Sequence, residues 1–388
     1  MTEKIWNRLF IYAFTANLML HLCTNMTVTL TAVYADHLGA AETVVGLATS
    51  LFALSALFSK IVAAPSIDTF NRKNVLLLST GIMAVSYVCY SLTRNVPMLL
   101  VSRLLQGAGQ AFTTTCCLAI ASDSLPSDKM STGIGYFALT TAIAQAISPA
   151  IGLKMVETIG YNLTFAALAV IAVSTMVFIA NMKIPFIRSG KFRVTLDNVI
   201  AKECAVPAAI LMLLCMSYFV VPSFLVLFAG QRGVGSNIGL FFTVNAVSLL
   251  FTRPLIGRLS DKLGSVKVLI PSMLCYALSF LLISWCRTLP AFLAAGFVSA
   301  FGFGGCQPAL QAAALKNVPK ERRGAASCTC YIGNDIGVLI GPVLAGAVAE
   351  MSGYVVMWRV MIAPILVAML VCFIFRSSIA GKKTDAVV

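Results

Sequence analysis

The chain has 388 residues, of which 59% are hydrophobic and only 11% charged, with a mean hydropathy of +0.92. Soluble domains carry about 25% charged residues, so too few charges are present here to clothe a water-facing surface. The formal net charge of +14 does not indicate a nucleic-acid partner, because the cations sit in short clusters between long apolar runs rather than on one basic face.

A spanning helix needs about 20 mostly apolar residues. Twelve segments qualify, near 10–34, 43–65, 74–93, 98–121, 132–155, 161–182, 206–229, 236–258, 267–286, 290–315, 325–349 and 354–376. The expected fold is therefore an all-α membrane protein. The first segment follows Lys4 and Arg8 as a signal peptide would, but it is long and lacks a small-residue cleavage site, so it reads as a retained helix. The loops are short apart from the polar stretch Lys183 to Glu203. This divides the chain into an N-terminal bundle (1–182), a linker (183–204), a C-terminal bundle (205–376) and a tail (377–388). The cysteines form no CxxC pair and lie mostly in apolar segments, where they read as reduced packing residues. No metal or cofactor is expected.

Of the 28 Lys and Arg, 20 fall on one side of this layout if both termini are cytoplasmic: Lys4, Arg8, Arg72, Lys73, Lys129, Lys183, Arg188, Lys191, Arg193, Lys202, Arg258, Lys262, Lys267, Lys316, Lys320, Arg322, Arg323, Arg376, Lys382 and Lys383. Four fall on the other side (Arg94, Lys154, Arg232, Arg287) and four within spans (Lys60, Arg103, Arg253, Arg359). The bias places both ends inside. The expected location is the cytoplasmic membrane of a prokaryote.

The two bundles align at a constant offset of 193 residues. Gly46 maps to Gly239, Asp68 to Asp261, Ser91, Arg94 and Pro97 to Ser284, Arg287 and Pro290, Pro126 to Pro319, Lys129 to Arg322, Pro149 to Pro342, and Glu157, Gly160 and Tyr161 to Glu350, Gly353 and Tyr354. Six spans separate the copies, so both halves enter the membrane in the same sense. That predicts a parallel repeat about an axis along the membrane normal, with a central pathway exposed alternately.

The loop after the second span reads Ala64-x-x-x-Asp68-Thr69-x-Asn71-Arg72-Lys73, and the loop after the eighth reads Gly257-Arg258-Leu259-Ser260-Asp261-Lys262-x-Gly264. Each sets a carboxylate among cations in a tight turn, where it can cap a helix or pair with a neighbour. These loops resemble the Gly-x-x-x-Asp-Arg-x-Gly signature of the major facilitator superfamily. The first copy departs at Ala64, Thr69 and Asn71, and the second ends in Ser265-Val266 instead of a basic pair. The resemblance implies that Asp68, Arg72, Lys73, Asp123, Gly257, Asp261, Lys262 and Gly264 form the conformational gate, with Asp68 capping the eleventh span and Asp123 sharing its charge network.

Arg103-Leu-Leu-Gln106-Gly107-Ala-Gly109-Gln110-Ala111 in the fourth span is similar to the pattern of proton-coupled members of that superfamily. Spacings of three and four put Arg103, Gln106 and Gln110 on one helix face, and a cation within a span needs water or a partner. An Arg held structurally by carbonyls is the alternative. Gly341-Pro342 with Gly333, Gly337 and Gly346, and Ser148-Pro149-x-x-Gly152, resemble the drug/proton antiporter motif with altered spacing. Tight packing of small residues explains them equally. Tyr34-Ala35-Asp36-His37-Leu38-Gly39 and Arg253-Pro254-Leu255-Ile256-Gly257 also look like efflux members.

Of fourteen acidic residues, Asp335 stands out about ten residues inside the eleventh span, opposite Ala142 in the repeat. A carboxylate at that depth pairs with a cation, carries a proton, or is held by static hydrogen bonds. His21 lies mid-span with Asn17 and Asn25 four residues to either side. It can relay a proton or rest neutral on a carbonyl. Asp335, Arg103 and His21 are thus the proton-coupling candidates. In the superfamily the first, fourth, seventh and tenth spans line the cavity. By that resemblance the lining candidates are Asn17, His21, Asn25, Arg103, Gln106, Gln110, Tyr218, Gln307 and Gln311.

The expected function is transport of a small organic molecule by a protein working as a monomer, most simply efflux driven by protons. Uptake or exchange of an organic anion is the second reading, since Arg103 and His21 outweigh one acid in the cavity. A membrane-embedded enzyme or receptor finds no support, because no HExxH, GxSxG or P-loop is present.

Overall fold

The computed structural model describes residues 5–125, 130–182, 201–316, 318, 323–376 and 379. Residues 183–200 of the predicted linker, most of the tail, and the repeat markers Pro126, Lys129, Pro319 and Arg322 lie outside this set. So do the side chains of Asp68, Asp261 and Lys262 and the surroundings of Gly257.

Among the described residues the chain is helical throughout. In order the α-helices are α1 (Arg8–His37), α2 (Glu42–Thr69), α3 (Arg72–Leu92), α4 (Val96–Asp123), α5 (Met130–Ala180), α6 (Ala205–Tyr218), α7 (Val220–Gln231), α8 (Gly239–Leu263), α9 (Ser265–Trp285), α10 (Leu289–Lys316), α11 (Arg323–Ser352), α12 (Tyr354–Val360) and α13 (Ala363–Ile374). Nine helical stretches among the described residues are long and apolar enough to cross a membrane. One of them, Leu139–Ala180, covers two predicted spans in 42 residues, and the apolar part of α8 is the shorter Gly239–Arg253. The helix α4 is not among the nine, and it carries Arg103, Gln106, Gln110 and the run Thr113-Thr114-Thr115.

Local chemistry sets the helix ends. The side chains of Asn7, Asn71 and Asn95 accept from the amides of Phe10, Lys73 and Met98 at 2.9, 3.0 and 3.0 Å, so asparagine caps α1, α3 and α4. The long α5 is two helices joined at Gly160, whose φ of 78° is easy only for glycine. Gly353, its mate at the 193-residue offset, has φ of 79° and starts α12 in the same way. Two predicted spans are each split: α6 stops at Tyr218 before α7, and α12 stops at Val360 before α13. In both cases a proline stands four residues past the stop, Pro222 and Pro364. Its ring clashes with the carbonyl four residues back and lacks the amide that would bond it.

The chain divides into two compact units, Met1–Ala40 with Leu51–Val194, and Ala41–Ser50 with Thr195–Val388. In the first, α1 and α3 pack on α5 and on α4. In the second, α10 packs on α8 and α9, and α6 packs on α11 and α13. Close approach depends on glycine. Gly333, Gly337 and Gly341 of α11 face the backbone carbonyls of Ala208, Met212 and Met216 of α6, one turn apart each time, where a Cβ would not fit. Gly109 of α4 faces Met83 of α3, and Gly302 of α10 faces Tyr276 of α9, which are the same two positions at the 193-residue offset.

The ten residues Ala41–Ser50 group with the second unit because α11 holds them. Gly46 lies against the Pro342 carbonyl and Gly346 against the Glu42 carbonyl. Thr43 Oγ1 donates to Glu350 Oε2 at 2.7 Å, and Tyr354 Oη donates to Glu42 Oε1 at 2.5 Å. Lower down, Ser50 Oγ donates to the Val338 carbonyl at 3.4 Å.

Candidate functional site

In the first unit α4 carries Arg103, Gln106 and Gln110 on one face, and all three are buried, at 0%, 0% and 9% exposure. Arg103 Nη1 donates to Gln106 Oε1 at 3.1 Å, and Tyr90 Oη from α3 donates to the same oxygen at 2.9 Å. The guanidinium lies over the ring of Phe52, 5.0 Å from its centroid. A cation on an aromatic face in a dry site is stabilised by the ring quadrupole by up to about 2 kcal/mol. Gln110 Oε1 accepts from Thr24 Oγ1 of α1 at 2.8 Å.

The polar face of α1 behaves differently. Asn17 is buried and donates through Nδ2 to Thr140 Oγ1 of α5 at 2.6 Å. His21 Nδ1 meets the Asn17 carbonyl at 2.9 Å, and Asn25 Nδ2 donates to the His21 carbonyl at 2.9 Å. A carbonyl only accepts, so Nδ1 carries the proton in this geometry and Nε2 remains the acceptor of the half-buried ring. The three residues therefore form a ladder along α1.

In the second unit Tyr218 ends α6 with its ring stacked on Phe303 of α10, centroids 4.0 Å apart. Gln307 and Gln311, one turn apart on α10, are both half-buried. Asp335 is 8% exposed, and the neighbouring Asn334 Oδ1 accepts from Cys215 Sγ of α6 at 2.7 Å. Asp335, Pro342 and Gly346 are seven and four residues apart, so they share one face of α11. That face holds Ala41–Ser50 at its far end, and Asp335 lies two turns nearer Arg323.

At the signature loop, Asn71 caps α3 and Arg72 forms an ion pair with Asp123 at the end of α4. Gly264 sits at φ of 89° as the N-cap of α9, which only glycine adopts without strain. Spacing alone does not reveal the partners Phe52, Tyr90, Thr24, Thr140 and Cys215, because each comes from another helix. Tyr90 does fall on the visible buried stripe of α3 with Leu76, Met83 and Tyr87.

A family model described as Major Facilitator Superfamily matches residues 13–235 and 208–386. The chain belongs to the major facilitator superfamily. It is a multi-pass membrane transporter of a small molecule and not an enzyme. Among its relatives, a multi-drug resistance efflux pump PmrA homolog of Lactococcus lactis is 22% identical over 318 residues, covering 78% of each chain. Multidrug resistance protein 2 of Bacillus subtilis is 22% identical over 325 residues, covering 79% of this chain and 80% of its own. Among solved structures, the nucleoside transporter NupG superposes with a TM-score of 0.81 over 97% of this chain and 100% of its own, at 14% identity. For a member of this superfamily, the buried polar residues of α4 and α11 are costly to place in a membrane and call for a functional reading.

Proposed function

We propose that this facilitator is a proton-coupled exporter of a small organic molecule in the cytoplasmic membrane of a prokaryote, working as a monomer by alternating access. In this reading it has twelve spans in two similar halves (1–182 and 205–376) joined by the linker 183–204, and both termini, with the tail 377–388, are cytoplasmic. Contacts that recur at the 193-residue offset support two similar halves. Gly109 on Met83 recurs as Gly302 on Tyr276. The hydroxyls of Ser86 and Ser91 bond the carbonyls of Met83 and Val88 at 2.7 and 3.0 Å, and Ser279 and Ser284 bond those of Tyr276 and Leu281 at 2.7 Å each.

The observation that carries proton coupling is Asp335, a carboxylate almost fully buried in the middle of a spanning helix. A carboxylate that alternates between such a site and water takes up and releases a proton in each cycle. Arg103, fixed on Gln106 and Phe52, and His21, with Nε2 as acceptor, are the other coupling groups proposed. Substrate would meet Asn17, Asn25, Gln110, Tyr218, Gln307 and Gln311. The gate comprises Asp68, Arg72, Lys73, Asp123, Gly257, Asp261, Lys262 and Gly264, of which the Arg72–Asp123 pair is already made. Export agrees with the two multidrug relatives.

The buried cation Arg103 favours a second reading, uptake or exchange of an organic anion by proton symport or uniport. Reconstituted protein with an imposed pH gradient separates the two. Accumulation of a cationic or neutral drug in acid-loaded vesicles supports export, whereas gradient-independent movement of anions alone refutes it.

A further inference from the structure

The first unit has a groove of about 660 Å³ on its outer surface, lined by Asn74, Leu78, Gly81 and Val85 of α3, Leu105 of α4 and Met176 of α5. The flanking side chains are exposed and apolar: Leu78 is 70% exposed, Val85 56%, Val101 55% and Val177 60%. In a membrane protein such a surface faces lipid, and the groove has to be filled there.

Gly81 and Met176 set its shape. Gly81 leaves the middle of α3 bare, and a Cβ on it would be 3.5 Å from Met176 Cε, so that methyl forms the floor. From Asn74 to Val85 the helix rises roughly 16 Å at 1.5 Å per residue. That is about one leaflet of a hydrocarbon core some 30 Å thick. At one end the lining is apolar. At the other are exposed Asn74 and, one turn beyond the lining residue Leu77, half-buried Lys73. Arg72 next to it is paired with Asp123, and Lys73, on the same helix face as Leu77 and Gly81, is the cation of α3 nearest this end of the groove.

We propose that this groove is a binding site for one anionic phospholipid of the inner leaflet, with an acyl chain lying along Gly81 and the headgroup phosphate at Lys73 and Asn74. The site rests on the orientation proposed above, which puts the start of α3 at the cytoplasmic surface, and not on the identity of the transported molecule. Length matches one leaflet, polarity runs from apolar to basic in the direction a lipid requires, and basic recesses between helices on the cytoplasmic side favour anionic headgroups. A lysine stem can follow the apolar wall while its charge stays at the interface.

Native mass spectrometry of the intact protein in detergent tests this, with phosphatidylglycerol and phosphatidylethanolamine of the same acyl chains added separately. Phosphatidylglycerol is expected to remain as a one-to-one adduct under conditions that strip phosphatidylethanolamine. Gly81→Leu, which fills the floor, loses that adduct. Lys73→Gln abolishes the preference between the two lipids. Val85→Trp, at a wall position that is 56% exposed, narrows the groove and also loses the adduct. Retention of the adduct in both groove-filling variants overturns the site. Equal retention of the two lipids by the unaltered protein overturns the headgroup assignment. A dimer that Gly81→Leu dissociates shows that a second copy, not a lipid, fills the groove, and overturns the proposal.

Discussion

Asp335→Asn is the decisive perturbation. Asparagine keeps the shape of the side chain and removes its ability to ionise. The change leaves the contact of Cys215 Sγ with Asn334 and the glycine contacts of α11 on α6 untouched, and the asparagine amide can still donate and accept where the carboxyl did, so folding stability should move by about 1 kcal/mol. The effect on coupling is much larger. A difference of one pH unit supplies about 1.4 kcal/mol per proton, which sustains about a tenfold concentration ratio of a neutral substrate at one proton per cycle. With one carboxylate buried in the middle of α11, one proton is the expected stoichiometry. The assay uses proteoliposomes whose lumen is one pH unit more acid than the bath, with the membrane potential clamped, and labelled substrate outside. The unaltered protein should accumulate substrate about tenfold. The variant should reach equal concentrations and no more, while still exchanging labelled for unlabelled substrate at equal pH. Accumulation by the variant at the unaltered level refutes the coupling role. Loss of exchange along with accumulation, in protein that unfolds normally, moves Asp335 from coupling to substrate binding.

Arg103→Met removes a charged hydrogen bond worth about 1.5–3 kcal/mol, but it also relieves the cost of burying a guanidinium, so thermal unfolding should change by no more than about 2 kcal/mol either way. Transport should fall at least about tenfold, equivalent to about 1.4 kcal/mol, and Arg103→Lys should not restore it because an ammonium cannot serve Gln106 and the Phe52 face together. Unfolding and uptake measured on the same preparations check both halves of that statement. At Gly302 a Cβ would lie 2.7 Å from the Tyr276 Cα and 2.9 Å from its amide, backbone that cannot yield. At Gly109 the nearest atom, 2.6 Å away, is the side-chain Met83 Cγ, and the nearest backbone atom is the Ser79 carbonyl oxygen at 3.0 Å. Gly302→Ala should therefore cost about 2–3 kcal/mol by thermal unfolding and Gly109→Ala less, although the two positions match at the 193-residue offset. Tyr354→Phe removes the donor to Glu42 and should lower stability by about 1–2 kcal/mol, and the same change on a Glu42→Leu background, which has no acceptor, should cost less if the two act as a pair.

The fold was legible because a membrane turns hydropathy into geometry: apolar runs of spanning length have few options besides helices. Even so, α4 reads weakly by hydropathy alone, since the residues that make it interesting are the polar ones. The breaks at Tyr218 and Val360 were written in Pro222 and Pro364, but a hydropathy window averages over a proline instead of applying its four-residue rule. Spacing placed Arg103, Gln106 and Gln110 on one face of α4, as the structure has them. It did not foresee that the face is closed off by Phe52 and Tyr90, whose distance along the chain hides the contact. The ladder of Asn17, His21 and Asn25 was visible as a periodicity, whereas the Thr140 hydroxyl that anchors Asn17 lies 123 residues away.

The positions that differ between the halves gain meaning from those that do not. Arg103 stands over Phe52 in the first unit. At the 193-residue offset those positions are Gly296 and Asn245, and they too are in contact, with Asn245 Nδ2 donating to the Gly296 carbonyl at 3.0 Å. The ring of Phe241 comes within 3.0 Å of where a Cβ on Gly296 would be, so it occupies the space an arginine would need. A cation on an aromatic ring in one half is therefore an amide on a bare backbone in the other, on the same helix pair and at the same register. The glycine contacts six residues farther along, Gly109 on Met83 and Gly302 on Tyr276, are kept. A cycle that moves one proton needs one ionisable carboxylate, and a second at the position 193 residues away would take up a second proton. Arg103 against Gly296, and Asp335 against Ala142, leave the matching glycine contacts as they are, which is why the proposed coupling groups are placed where the 193-residue match fails.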